Sequence, residues 1–133
     1  MSERRNVDII TRIYEAFGRG DIPAIIDQLT DDVRWSNHLE AIVPWHGQYK
    51  GKAEVLNFFN AIGQSVDVTV FAPQEFVAEG DTVVSLGDFA CKVKATGKSS
   101  HTRWAFIWRL RDGKVYSYEQ FHDPAIADAF RAS

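Results

Sequence analysis

The chain has one cysteine, Cys91, which excludes an internal disulfide and leads us to expect a reducing compartment. Cys91 lies in an alternating stretch with no base beside it, so it reads as a buried structural thiol and not a nucleophile. With only four prolines and nine glycines in 133 residues, no Pro/Gly-rich linker stands out. Repeats and low-complexity tracts are absent too, and residues 1–133 are expected to form a single domain. No apolar run approaches membrane-spanning length, and Met1-Ser2-Glu3-Arg4-Arg5 lacks the apolar core of a secretion signal. These absences point to a cytoplasmic protein with no membrane partner. A net charge of −3 without a basic run argues against a nucleic-acid surface. The four histidines (His38, His46, His101, His122) fit no short ligand motif, and Gly-rich phosphate loops and nucleophile elbows are missing. No metal and no cofactor are therefore expected.

What the chain does have is pattern. Val7, Ile10, Ile13, Tyr14 and Phe17 form a helical stripe that Gly18 and Gly20 end. Asp21 can cap a short second helix with Pro23 in its first turn. Asp31-Asp32 reads as the turn after it, and Val33 to Asn37 as a short strand. After a loop at Pro44-Trp45-His46-Gly47, Val55, Leu56, Phe59 and Ile62 mark a third helix closed by Gly63. From Val66 the period changes to alternation, with Pro73 predicting a bend or bulge. A strand over Thr82–Ala95 follows, with Val83, Ser85, Gly87, Phe89, Cys91 and Val93 on one side and Val84, Leu86, Asp88 and Ala90 on the other.

The last third carries the strongest signal. Trp104, Phe106, Trp108 and Leu110 alternate with Arg103, Arg109 and Arg111, Asp112-Gly113 makes a tight hairpin turn, and Tyr116, Tyr118, Gln120 and His122 share a face of the returning strand. An aromatic floor that also carries an amide and an imidazole suggests a ligand pocket. Asp123-Pro124 opens a short closing helix. The predicted class is α+β: three helices packed on one face of an antiparallel sheet.

Gly20-Asp21-Ile22, Asp31-Asp32-Val33-Arg34-Trp35, Gly47-Gln48-Tyr49-Lys50-Gly51 and Trp108-Arg109-Leu110-Arg111-Asp112-Gly113-Lys114, in this order of elements, resemble the nuclear transport factor 2-like superfamily. Within it the chain is most similar to the ketosteroid isomerase-related, SnoaL-like proteins of the polyketide cyclase branch. The resemblance covers the whole chain and implies a cone-shaped fold: a curved sheet wrapping a long helix, a pocket between them, and commonly a homodimer through the sheet's convex face. Steroid isomerase chemistry is not implied. The positions for its carboxylate base, its oxyanion-hole tyrosine and aspartate, and its supporting tyrosine correspond to Asn37, Ile13, Phe106 and Phe59, which cannot do those jobs. Nor is the epoxide hydrolase pattern of two aspartates bridged by arginine met, since Gln120 falls where the second aspartate belongs.

On the family's geometry, register would turn Asp88 and Leu86 toward the cavity. A carboxylate held there without a cation could serve as acid or base near neutral pH, and His122 could be its partner. Tyr118, Asn37 and Gln120 would orient a carbonyl or hydroxyl, and Trp35, Phe59, Leu86, Trp104, Phe106 and Trp108 would form apolar walls for a flat or cyclic ligand. Arg103 and Arg109, with Ala105, Ile107, Phe89, Cys91 and Val93, look like a subunit interface on the convex face. The expected function is binding of a small, largely apolar organic molecule, with cofactor-free proton transfer by Asp88 and His122 if the protein is an enzyme of isomerase, cyclase or dehydratase type. The alternatives are a non-catalytic carrier or sensor, and a protein-interaction module whose cavity is plugged by Trp104, Phe106 and Trp108.

Overall fold

Ser2 starts the first helix in the computed structural model, which describes residues 2–131: its Oγ accepts from Arg5 N, and α1 runs over Glu3–Gly18. Ile10, Ile13 and Tyr14 of the apolar stripe are buried. Asp21 caps α2 (Ile22–Ile26) by accepting from Ala24 N, with Pro23 in the first turn as its fixed φ favours. The next strand, β1 (Leu29–Asn37), is longer than expected and absorbs Asp31 and Asp32, so these residues are strand and not turn. Part of the following loop also pairs, as β2 (Gln48–Lys50) against β1. Helix α3 (Gly51–Ser65) runs through Gly63, which is helix interior and not a terminator. No helix among the described residues is long and apolar enough to cross a membrane.

Four long strands complete the sheet: β3 (Val66–Glu79), β4 (Thr82–Val93), β5 (Ser99–Arg111) and β6 (Lys114–His122). Their order is β2-β1-β6-β5-β4-β3. The sheet is curved, unclosed and mostly antiparallel; the exception is the pairing of β1 with β6, which is parallel. Pro73 does mark an irregularity, since the β3–β4 register shifts between Pro73 and Glu75. Asp112 (φ 52) and Gly113 (φ 80) supply the two left-handed residues that a tight hairpin turn between β5 and β6 requires. A register shift just after that turn buries both Val115 and Tyr118, and sets Tyr116 aside under the Arg111 guanidinium instead of beside Tyr118. The closing segment, Pro124–Phe130, is a 3-10 helix capped by Asp123, whose Oδ1 accepts from Ala125 N.

Strand β4 decides which residues see the interior. Val83, Ser85, Phe89, Cys91 and Val93 are buried beneath the helices, while Val84, Leu86, Asp88 and Ala90 lie on the convex side. This reverses the expected placement of Asp88 and Leu86, and it moves Phe89, Cys91 and Val93 from the predicted interface into the core. The cause is visible at Gly87. A Cβ there would stand 2.5 Å from Ala72 O and 2.8 Å from Trp104 Cη2, so the bare backbone of β4 is what lets the Trp104 indole lie flat against the sheet. Both faces of β4 are apolar, which hid this parity from the sequence. Gly87→Ala is expected to destabilise the fold by about 1–3 kcal/mol through overpacking against a backbone oxygen, read as a lowered urea midpoint.

Candidate functional site

The sheet's inner face is laid out in rows by strand register. Trp35, Tyr118, Trp108 and Val83 form one; Asn37, Gln120, Phe106 and Ser85 the next; His122, Trp104 and Gly87 the third. Parallel pairing of β1 with β6 sets Trp35 against Tyr118, with ring centroids 4.0 Å apart. Trp104 stacks on Phe106 at 3.9 Å and on Phe71 at 5.3 Å. Between this floor and α1 and α3 lies a cavity of about 50 Å³, lined mostly by aromatic and aliphatic side chains.

Of the side chains anticipated for a site, Trp35, Phe59, Phe106, Trp108, Tyr118, Gln120 and His122 line this one cavity. Trp104 lies behind Phe106 and supports it. Asn37 is used structurally: its Nδ2 donates to Trp45 O (2.9 Å) and its Oδ1 accepts from Gly47 N (3.0 Å) and Leu39 N (3.2 Å), pinning both ends of the loop that follows β1. Leu86 and Asp88 are on the far side of the sheet. There Asp88 Oδ1 lies 3.2 Å from Arg103 Nε, its Oδ2 lies 3.8 Å from His101 Nε2, and Gln74 Nε2 donates to Oδ2 at 3.1 Å. Asp88 and His122 therefore do not form a couple, because strand parity puts the sheet between them. The loop residues His46 and Tyr49 are tethered to backbone, by a 2.7 Å contact of His46 Nδ1 with Val43 O and by donation from the Tyr49 hydroxyl to His46 O.

Sequence reasoning overlooked Tyr14. It is buried on α1, hydrogen-bonded to Ser85 Oγ, and its hydroxyl accepts from Trp108 Nε1 at 2.7 Å. Desolvation by burial raises its pKa, so the phenol stays neutral and its capacity is taken up by Ser85 and Trp108. The signal was present: Tyr14 is on the buried helical stripe beside Ile13, and a buried tyrosine needs a partner. Ser85 and Thr102, both buried, were likewise unmarked because a lone hydroxyl on a strand looks like surface.

Four polar groups of the lining are left with spare capacity. Trp35 Nε1, Gln120 Oε1 and His122 Nδ1 are buried with no hydrogen-bond partner. Gln120 Nε2 donates to the Tyr118 hydroxyl (2.9 Å), which leaves that hydroxyl's own proton free to be donated. Burial pushes Tyr118 well above its usual pKa, with further help from Tyr14, so it too is neutral. Buried polar atoms ordinarily find partners, so a cluster of unpaired ones around a common cavity is a place for another molecule.

His122 holds its other nitrogen, Nε2, 2.6 Å from Thr102 Oγ1. Burial pushes its pKa down to about 4, the charge of Asp123 pulling weakly the other way, so the imidazole is neutral at pH 7. The unfolded chain takes up this proton near pH 6.5, whereas the folded protein refuses it until about pH 4. The contribution of His122 to stability is thus complete above pH 6.5 and is lost as pH falls toward 4, amounting to roughly 2 kcal/mol between pH 7 and pH 5. Urea titrations at the two pH values should show this loss in the native protein and a flatter response in His122→Gln; equal losses in both would refute the assignment.

Comparison with curated proteins finds no match. Among solved structures, an NTF2-like protein from Burkholderia xenovorans is 29% identical over 98% of this chain and 99% of its own, with a TM-score of 0.89. An NTF2-like protein of unknown function from Burkholderia pseudomallei is 26% identical over the full length of both chains, with a TM-score of 0.85. TerC, co-crystallised with polyporic acid, is 25% identical over 95% of this chain and 98% of its own, with a TM-score of 0.84. The family model for the SnoaL-like domain matches residues 10–118, and by that match the chain belongs to the SnoaL-like family.

Proposed function

We propose that the protein binds a small, largely apolar cyclic molecule whose ring bears at least one oxygen, in the cavity between its helices and its sheet. The observation that carries this reading is the unpaired set of Trp35 Nε1, Gln120 Oε1 and His122 Nδ1 within an otherwise apolar lining. Trp35 and Tyr118 supply donors for a carbonyl or hydroxyl oxygen, and Gln120 supplies an acceptor. The likeness to TerC, co-crystallised with polyporic acid, supports an organic occupant. Proton transfer at such a ligand would run through His122 alone, as a neutral base, since Asp88 is on the other side of the sheet.

A cavity of about 50 Å³ holds a few waters and no ring, so a ligand must displace side chains as it enters. The same small volume favours a second reading, a protein-interaction module with a filled interior. The probe 2-naphthol separates the two. Binding in the cavity should quench the fluorescence of Trp35 and Trp108, weaken about tenfold in Gln120→Leu through the lost hydrogen bond, and be unaffected in Asp88→Asn. No quenching by 2-naphthol or other neutral cyclic phenols and ketones would remove the ligand reading and leave the module.

Under the same proposal the protein is a homodimer through its convex face. Val84, Leu86, Ala105 and Ile107 are only half-buried there, and Val77 and Phe121 are exposed by 62% and 44%. The face carries Glu75, Asp88 and Glu119 together with His101, Arg103 and Arg109, a mixture that can complement a second copy of itself across a two-fold axis. Light scattering should give a dimer for the native chain and a monomer for Ile107→Lys; a monomeric native chain would overturn this part.

A further inference from the structure

The inner cavity has a neighbour. A groove of about 730 Å³ opens at the surface where the C-terminal ends of α1 and α3 meet the start of β3, and four side chains (Phe17, Phe59, Ile62 and Phe71) line both spaces. They are the wall between the two. Phe17 meets Phe71 edge-on at 4.9 Å and lies tilted against Phe59 at 6.0 Å, so rings in contact make up much of the partition.

The groove is kept open by missing side chains. Gly18, Gly20 and Gly63 line it, and a Cβ added to any of them would meet nothing within 4 Å. Gly20 has a backbone reason to be glycine (φ 71); Gly18 and Gly63 are helical and have none. Gly63 stands inside α3, where glycine is an unfavourable helix former, and a Cβ there would meet open space. Around the rim Asn60, Gln64 and Thr69 are polar, and Arg19 is the one charged side chain lining the groove among the described residues. Arg19 is exposed and has only a loose ion pair with Asp21 at 3.7 Å.

Resting on the cavity reading above, we propose that this groove is the outer half of the ligand site, reached through the Phe17–Phe59–Ile62–Phe71 partition. The ligand is then an elongated amphipathic molecule, with a ring among Trp35, Gln120 and His122 and an anionic tail lying over Gly63 toward Arg19. The inner cavity has to widen by side-chain displacement to take a ring and leaves no room for a longer molecule, while the adjoining groove is within the range of volumes that small-molecule sites occupy. Gln120, buried and with an unpaired Oε1, is the independent sign that the inner end awaits a partner.

The test compares 2-naphthol with 4-(6-hydroxynaphthalen-2-yl)butanoate, which has the same ring and a carboxylate tail. Tryptophan quenching should show the tailed probe binding the native protein at least tenfold more tightly. That advantage should disappear in Gly63→Leu, which fills the groove, and shrink several-fold in Arg19→Gln, while 2-naphthol affinity stays within twofold in both variants. Leucine is the better helix former, so the melting temperature of Gly63→Leu should equal or exceed that of the native chain. Binding of 2-naphthol with no gain from the tail, or a gain that survives Gly63→Leu, would overturn the groove and leave the cavity reading standing. Failure of both probes to bind the native protein would overturn both.

Discussion

One buried phenol fastens the first helix to the middle of the sheet. The Tyr14 hydroxyl is shared with Ser85 of β4 and accepts from Trp108 of β5, so three elements meet at a single oxygen atom. Each of these groups would cost on the order of 1–3 kcal/mol if left unpaired in the interior. Satisfying one another removes that cost and fixes the distance between α1 and the strands. It also assigns roles within the cavity. Tyr14, Ser85 and Trp108 have spent their hydrogen bonds on the fold, and what remains for another molecule is on Trp35, Tyr118, Gln120 and His122.

The aromatic floor follows from the same geometry. With the helix held above the sheet at that height, the space is filled by flat rings in contact: Trp35 on Tyr118, Trp104 on Phe106, Phe71 beside Trp104. Stacked and edge-on rings bury large areas in preferred geometries, and those of Trp35 and Tyr118 carry a polar atom as well. Gly87 lowers the floor by a side chain's depth beneath Trp104. The interior is dry enough to keep His122 neutral and both inner tyrosines protonated.

Much of the fold was legible in the sequence because it rests on short-range chemistry. Ser, Asp and Pro at helix starts, Asp112-Gly113 at the hairpin and Pro73 at the bulge all act within a few residues, and the helical stripe of α1 declared its buried face. The alternation of β5 marked Trp104, Phe106 and Trp108 as inward-facing. Legibility failed where the deciding partner is distant or the pattern is symmetric. Nothing near Asp88 in the sequence says which side of β4 is inner, because Val84, Leu86 and Ala90 are as apolar as Val83, Phe89 and Cys91. Asn37 looked like a ligand contact because its true partners, the backbone of Gly47 and Trp45, are met only after the loop has closed. Gly63 looked like a helix end because glycine usually is one. The parallel pairing of β1 with β6 joins strands some eighty residues apart, beyond any local signal.

That pairing has a consequence for how the chain is made. During synthesis α1 and β1 emerge well before the groups that fix them: Ser85 and Trp108, which bond Tyr14, and β6, which pairs with β1. One edge of β1 stays unpaired until Lys114–His122 has emerged, whereas the stripe of α1 packs on β3 and β4, which come earlier. Loop closure over such separations is slow, and folding here is completed only after translation of the final strand. Loss of β6 would therefore leave β1, far earlier in the chain, without the neighbour that joins it to the rest of the sheet.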